Sequence, residues 1–146
     1  MVTLGFKLEY DSPAFVIKVE NQEFVIGMSM YDVDPFLRLH NLFLRLDEKD
    51  IKSSVEEFED EGQESSISFN SGNEDGWSLM TITQTGQRKE DDDRLVKDVK
   101  VNNQDLKEEY KHAFTLFIDS LSKEKISEIN SDINLAQEIF ENLSKN

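Results

Sequence analysis

A chain of 146 residues is the length of one domain, and folding at that size buries roughly 70% of the unfolded surface, enough for a sizeable core. With 37% apolar residues and ten Phe the composition is that of a folded globule, while 31 acids against 16 bases leave a net charge of −15 that repels phosphate backbones and anionic lipid headgroups. The absence of cysteine excludes disulfides, thiolate zinc sites and a thiol nucleophile.

The first elements read as strands. Val2, Leu4, Phe6, Leu8 and Tyr10 alternate with Thr3, Gly5, Lys7 and Glu9, the period of a half-buried strand. Asp11-Ser12-Pro13 supplies a turn. Phe15-Val16-Ile17 and Phe24-Val25-Ile26 then read as a central hairpin, apolar on both faces and turning at Asn21-Gln22. From Asp34 the period changes: Phe36, Leu39, Phe43 and Leu46, behind Pro35, predict a helix over about 34–49. A rival reading splits Leu37 to Leu46 into two short strands around His40-Asn41.

Short strands are predicted at 53–59 and 65–70, and Asn73-Glu74-Asp75-Gly76 is a hairpin signal leading into Trp77 to Gln84. Gln84 to Arg94 is a solvated loop, and Leu95, Val99 and Val101 suggest a last strand. Asn102 or Asn103 caps a helix of about 17 residues whose stripe is Leu106, Tyr110, Phe114, Phe117 and Leu121. A final stripe of Ile126, Ile129, Ile133, Ala136, Phe140 and Leu143 implies another helix, with an interruption at Asn130-Ser131. The expected fold is one α+β domain over 1–146: an antiparallel meander of about six to seven strands, one helix inserted after the third strand, and two C-terminal helices packed on the sheet.

Few residues are equipped for catalysis. His40 lies beside the apolar stripe of its helix and reads as half-buried packing; His112 lies off the stripe near Glu108 and Glu109, as an exposed ion pair or a carboxylate-oriented base. Gly-x-Ser-x-Gly, phosphate-binding glycine loops and His-Glu-x-x-His are all absent from the sequence. Ser71, Asn73 and Asp75 before Gly76 loosely resemble the start of a calcium loop, but Ile82 stands where the closing Glu belongs. Asp91-Asp92-Asp93 reads as a solvated charge run. No cofactor or metal is expected.

Charge is placed unevenly. Residues 56–75 hold eight acids and no Lys or Arg, more than half of the net −15. Glu56, Glu57, Glu59, Asp60, Glu61 and Glu64 flank a strand turn, Glu74 and Asp75 lie on the next hairpin, and Glu90 to Asp93 extend the field. Read as one anionic rim with Trp77 as its aromatic anchor, they would speed encounter with a basic partner; read blandly, they keep the chain soluble.

The order of elements, with the acidic Phe58-Glu59-Asp60-Glu61-Gly62 stretch between hairpins and a long helix behind them, resembles small acidic bacterial α+β domains, among them immunity proteins of polymorphic and contact-dependent toxin systems. The resemblance is one of layout and acidity. It implies a non-enzymatic inhibitor covering the basic active site of a toxin nuclease, with a protein partner and neither nucleic acid nor membrane bound directly. Met1 to Asp11 has no basic, apolar leader pattern, so the cytoplasm is expected. Two further classes stand beside it: a small-molecule binding module or cryptic enzyme with a pocket between sheet and C-terminal helices, lined by Phe114, Phe117 and Phe140 with His40 or Tyr110 at its mouth, and a scaffold that self-associates through its helices.

Overall fold

The computed structural model describes residues 2–9, 12–28, 34–48, 53–60, 62–71, 74–86, 93–123 and 131–144. The chain is α+β. Strands β1 (Val2–Glu9), β2 (Ser12–Val19) and β3 (Gln22–Gly27) are followed by helix α1 (Asp34–Leu44), then β4 (Ser53–Asp60), β5 (Gln63–Ser71), β6 (Trp77–Gln84) and β7 (Arg94–Asn102), and finally α2 (Asn103–Lys123) and α3 (Ser131–Ser144). The strands form two antiparallel sheets, β1-β2-β3 and β4-β5-β6-β7, each in sequence order.

This corrects the single meander expected from the sequence. Hairpin pairing is local and continues only where a short turn returns the chain; between β3 and β4 the chain makes α1 instead, and β4 starts a new sheet. The helix at 34–49 is shorter than expected, ending at Leu44, and the two-strand alternative does not occur. The hairpin turns at Glu20-Asn21, one residue earlier than read, since Val19 faces Gln22 in the register. Ser12 and Pro13 belong to β2, while Tyr10 and Asp11 lie outside the described residues. The α2 helix runs for 21 residues, longer than its stripe required, and Asn102 caps it by accepting from the Asp105 amide at 3.0 Å. Ile126 and Ile129 lie outside the described residues, as do Glu61, Asn73 and 87–92.

Alternation explains the core. Leu4, Phe15, Ile17, Phe24 and Ile26 from the first sheet, Phe58, Ile67, Phe69, Met80 and Ile82 from the second, Phe36, Leu39 and Phe43 from α1, and Phe140 from α3 form one buried cluster. The expected α2 stripe, Leu106, Tyr110, Phe114, Phe117 and Leu121, is buried at all five positions. Phe6 touches the rings of Phe15, Phe36, Tyr110, Phe114 and Phe117 at centroid distances of 5.0–6.2 Å. Most of these pairs are tilted or edge-on, the arrangements aromatic quadrupoles prefer.

Among the described residues, the polar side chains of His40, Ser65, Ser78, Gln84 and Lys107 are buried with this core. His40 is fully buried rather than half-buried, and its Nδ1 shares a 2.6 Å hydrogen bond with the Tyr110 hydroxyl. Lys107 is buried too, and its ammonium donates to both Asp47 oxygens at 3.1 Å. Burial pushes the Tyr110 phenol well above its ordinary value of 10.0. Folded Tyr110 therefore holds its proton where the unfolded chain has released it, so its contribution is whole below about pH 10 and is lost as pH rises further, by about 1.4 kcal/mol per unit. Tyr110→Phe should cost about 1–3 kcal/mol at pH 8 by removing the buried hydrogen bond between the phenol and His40 Nδ1. That deficit should shrink between pH 10 and 11.5 because only the wild type has this phenol to ionise. Urea denaturation of both proteins across the range is the check, and a deficit constant with pH contradicts the assignment.

Each sheet edge is guarded, as solvent-facing edges must be. On β1 the Leu4 amide donates to Glu109 Oε1 of α2 at 3.3 Å. On β3 the Val25 carbonyl accepts from Gln84 Nε2 at 2.9 Å, which also joins the two sheets. On β4 the Glu57 carbonyl accepts from Arg38 of α1. The β7 edge is bulged: Lys97 and Asp98 stand opposite Thr81 alone, between the Met80↔Val99 and Ile82↔Val96 pairs, with Asp98 at φ 54°.

Candidate functional site

The helices pack against the inner faces of the strands and leave the outer face of the second sheet open. Inward-facing Phe58, Ser65, Ile67, Phe69, Ser78, Met80, Ile82 and Gln84 are buried, so their neighbours in sequence point out. The register gives rows across that outer face: Glu59↔Glu64; Glu57↔Ser66, Ser66↔Thr83, Thr83↔Leu95; and Val55↔Ser68, Ser68↔Thr81. Short hydroxylated side chains fill the middle. Val55 and Leu95, 58% and 57% exposed, stand on the two outer strands.

The face is electrostatically graded. Glu57, Glu59 and Glu64 occupy the β4–β5 half; β7 carries Lys97, Asp98 and Lys100, the last paired with Glu74. The carboxylate half contains a groove of about 410 Å³ lined by Arg38, Glu57, Phe58, Glu59, Glu64, Ser65, Ser66, Thr83 and Thr85. Its end is pinned by Thr85, whose amide donates to the Glu64 carbonyl at 2.9 Å and whose Oγ1 accepts from the Glu64 amide at 2.9 Å. Gly62, at φ 82°, makes the two-residue turn possible. That turn places Glu59 directly opposite Glu64, a like-charged cross-strand pair that destabilises a sheet. Glu64→Gln should therefore raise the melting temperature by about 1–3 °C at low salt, with the gain fading at high salt. Thermal melts at two ionic strengths check this, and a lower melting temperature contradicts it.

The nine residues singled out in the sequence do not form one rim. Glu57, Glu59 and Glu64 come together on the outer face. Glu56 points the other way, toward Arg38, with Nε 4.0 Å from its carboxylate. Asp60 ends β4 beside the turn, and Glu61 lies outside the described residues. Glu74, Asp75 and Trp77 sit at the opposite end of β5, about 23 Å from Glu64 along the strand. There Lys100 donates to Glu74 at 3.0 Å and covers the half-buried Trp77 ring at 4.8 Å, so Trp77 anchors its own sheet. Glu74, Asp75 and Trp77 line a second groove of about 650 Å³ with Asp47 and Glu48. Of the 90–93 acids only Asp93 is among the described residues; it accepts from the Gly86 amide at 3.3 Å.

Sequence reasoning missed Arg38, which reaches β4 from another element with its guanidinium 5.8 Å from the Phe58 ring. It also missed the hydroxylated middle of the face, though alternation around Ile67 and Ile82 signals it. Of the three residues expected to line a pocket, Phe114 and Phe140 are packed against the His40 ring at 4.7 and 5.5 Å, while Phe117 lines a groove of about 440 Å³ between β1 and α2 that also includes His112. His112 is exposed on α2; nearby Glu108 pairs with Lys111 at 3.5 Å, and Glu109 takes the Leu4 amide. Among the described residues no helix is long and apolar enough to cross a membrane. The chain matches no protein-family model and no curated protein.

Proposed function

We propose that this domain is a non-catalytic inhibitor that docks a basic protein on the β4–β5 half of its open sheet face, the target implied by the immunity-protein layout being a bacterial nuclease toxin. The observation that carries the reading is the opposition of Glu59 and Glu64 across the hairpin, with Glu57 beside them. A fold that opposes like charges gives up stability in the free state, and such departures from local consistency concentrate at functional surfaces. A cationic partner reverses the sign of that interaction, so the same pair that weakens the free sheet strengthens the complex. The two histidines fit the same reading: His40 is built into the aromatic core, and His112 stands on an exposed helix face.

The test is capture from the lysate of the source cells with the tagged protein, washed at low and high salt and read by mass spectrometry. The expected result is near-stoichiometric recovery of one basic protein that is released by salt and that the Glu57→Gln, Glu59→Gln, Glu64→Gln triple variant does not retain. Equal recovery by that variant would show that the partner binds elsewhere.

A further inference from the structure

We infer that the part of the partner lying on this face is an extended, strand-like segment with basic side chains at alternate positions, a deepening that rests on the proposed basic-partner reading. Val55, Glu57 and Glu59 project from one side of β4 at two-residue intervals, about 6.7 Å apart. An extended chain laid alongside repeats its own side chains at the same distance, so contacts stay in register over all three positions. A helix returns to one face after three or four residues, about 4.5–6 Å, and has drifted from the β4 spacing by the second repeat.

Across the strands Glu59 and Glu64 are direct partners, a pairing that sets Cβ atoms about 5 Å apart. Their carboxylates suit one guanidinium, which presents several donors in a fixed fork. The arrangement therefore asks for an arginine facing Glu59 and Glu64, a second base two residues away facing Glu57, and an apolar side chain two further on, beside exposed Val55. The short side chains of Ser66, Ser68 and Thr83 let a backbone lie close above the sheet. Two features confine the segment to this place. The guanidinium of Arg38 already takes the Glu57 carbonyl on the β4 edge, so the segment lies over the sheet instead of lengthening it. The β7 half has no matching row of carboxylates: Lys97 and Asp98 stand together in the bulge, and Lys100 is already paired with Glu74.

Two synthetic peptides of equal length and charge provide the probe, one of alternating Arg and Thr ending in Val, the other alanine-rich with its arginines four residues apart. Each is titrated into the full chain, labelled with ¹⁵N, at low ionic strength. The alternating peptide is expected to bind about fivefold tighter or more, to shift the amides of Glu57, Glu59, Glu64 and Ser66, and to lose that advantage in Glu59→Gln, Glu64→Gln. Equal affinity of both peptides at these amides overturns the extended segment and leaves the basic-partner reading standing. Shifts only around Asp47, Glu48, Glu74 and Asp75, or none from either peptide at millimolar concentration, overturn both.

Discussion

Phe15→Ala should remove about 3–5 kcal/mol of stability, a large fraction of the total for a domain of this size. Phe15 is fully buried at the middle of β2 and meets the rings of Phe6, Phe43 and Tyr110 at 5.0, 5.5 and 6.1 Å. Its truncation removes apolar contact with β1, α1 and α2 together and leaves a cavity whose walls are held by three elements, so collapse around it is limited. Each lost ring pair adds about 0.5–1.5 kcal/mol beyond buried area. Urea denaturation measures the loss, with Leu95→Ala as the comparison, since an exposed position away from special features changes stability by about 0.5 kcal/mol or less. A loss below about 1.5 kcal/mol at Phe15 would mean that the core is looser than its burial indicates.

The second large effect is kinetic. Replacing Glu57, Glu59 and Glu64 by Gln takes the charge from −15 to −12, and the association rate with the proposed basic partner should fall about tenfold or more at low salt. Near 1 M salt, where the Debye length is about 3 Å, the rates of variant and wild type should converge. A control with the same net charge, Asp119→Asn, Glu138→Gln and Glu141→Gln on exposed positions of α2 and α3, separates the site from the overall field. If the control slows association equally, steering comes from net charge and the sheet face has no special part in it. The dissociation rate is informative as well, because a desolvated Arg–carboxylate contact acts there and a rim charge does not.

How much of this was visible beforehand follows the distance between the residues involved. Strands and hairpins were legible because alternation and turn chemistry act over a few residues: the hairpin signal ending at Gly76 falls between β5 and β6, which pair. The α2 stripe was legible for the same reason. The division into two sheets was not, because whether β4 pairs with β3 depends on where α1 leaves the chain. His40 could be read as packing from its spacing to Phe36, yet its partner Tyr110 is 70 residues away. The acids misled in one respect. Neighbours in sequence within 56–75 are not all neighbours in space: β5 carries the chain the whole length of the sheet and delivers Glu64 and Glu74 to opposite ends. Glu59 and Glu64 were legible in principle, since a two-residue turn dictates their opposition.

The seal on β1 has a consequence for how the protein is made. The Leu4 amide is satisfied by Glu109, 105 residues further along the chain. At elongation rates of about 5–20 residues per second, the ribosome needs roughly 5–20 s to synthesise that interval. For those seconds β1 to β3 can already pair while their outer edge stands open, next to apolar Phe6 and Leu8. The nascent chain thus passes through a stage prone to intermolecular strand pairing that the finished protein has closed, and chaperone engagement is expected to concentrate on intermediates lacking α2.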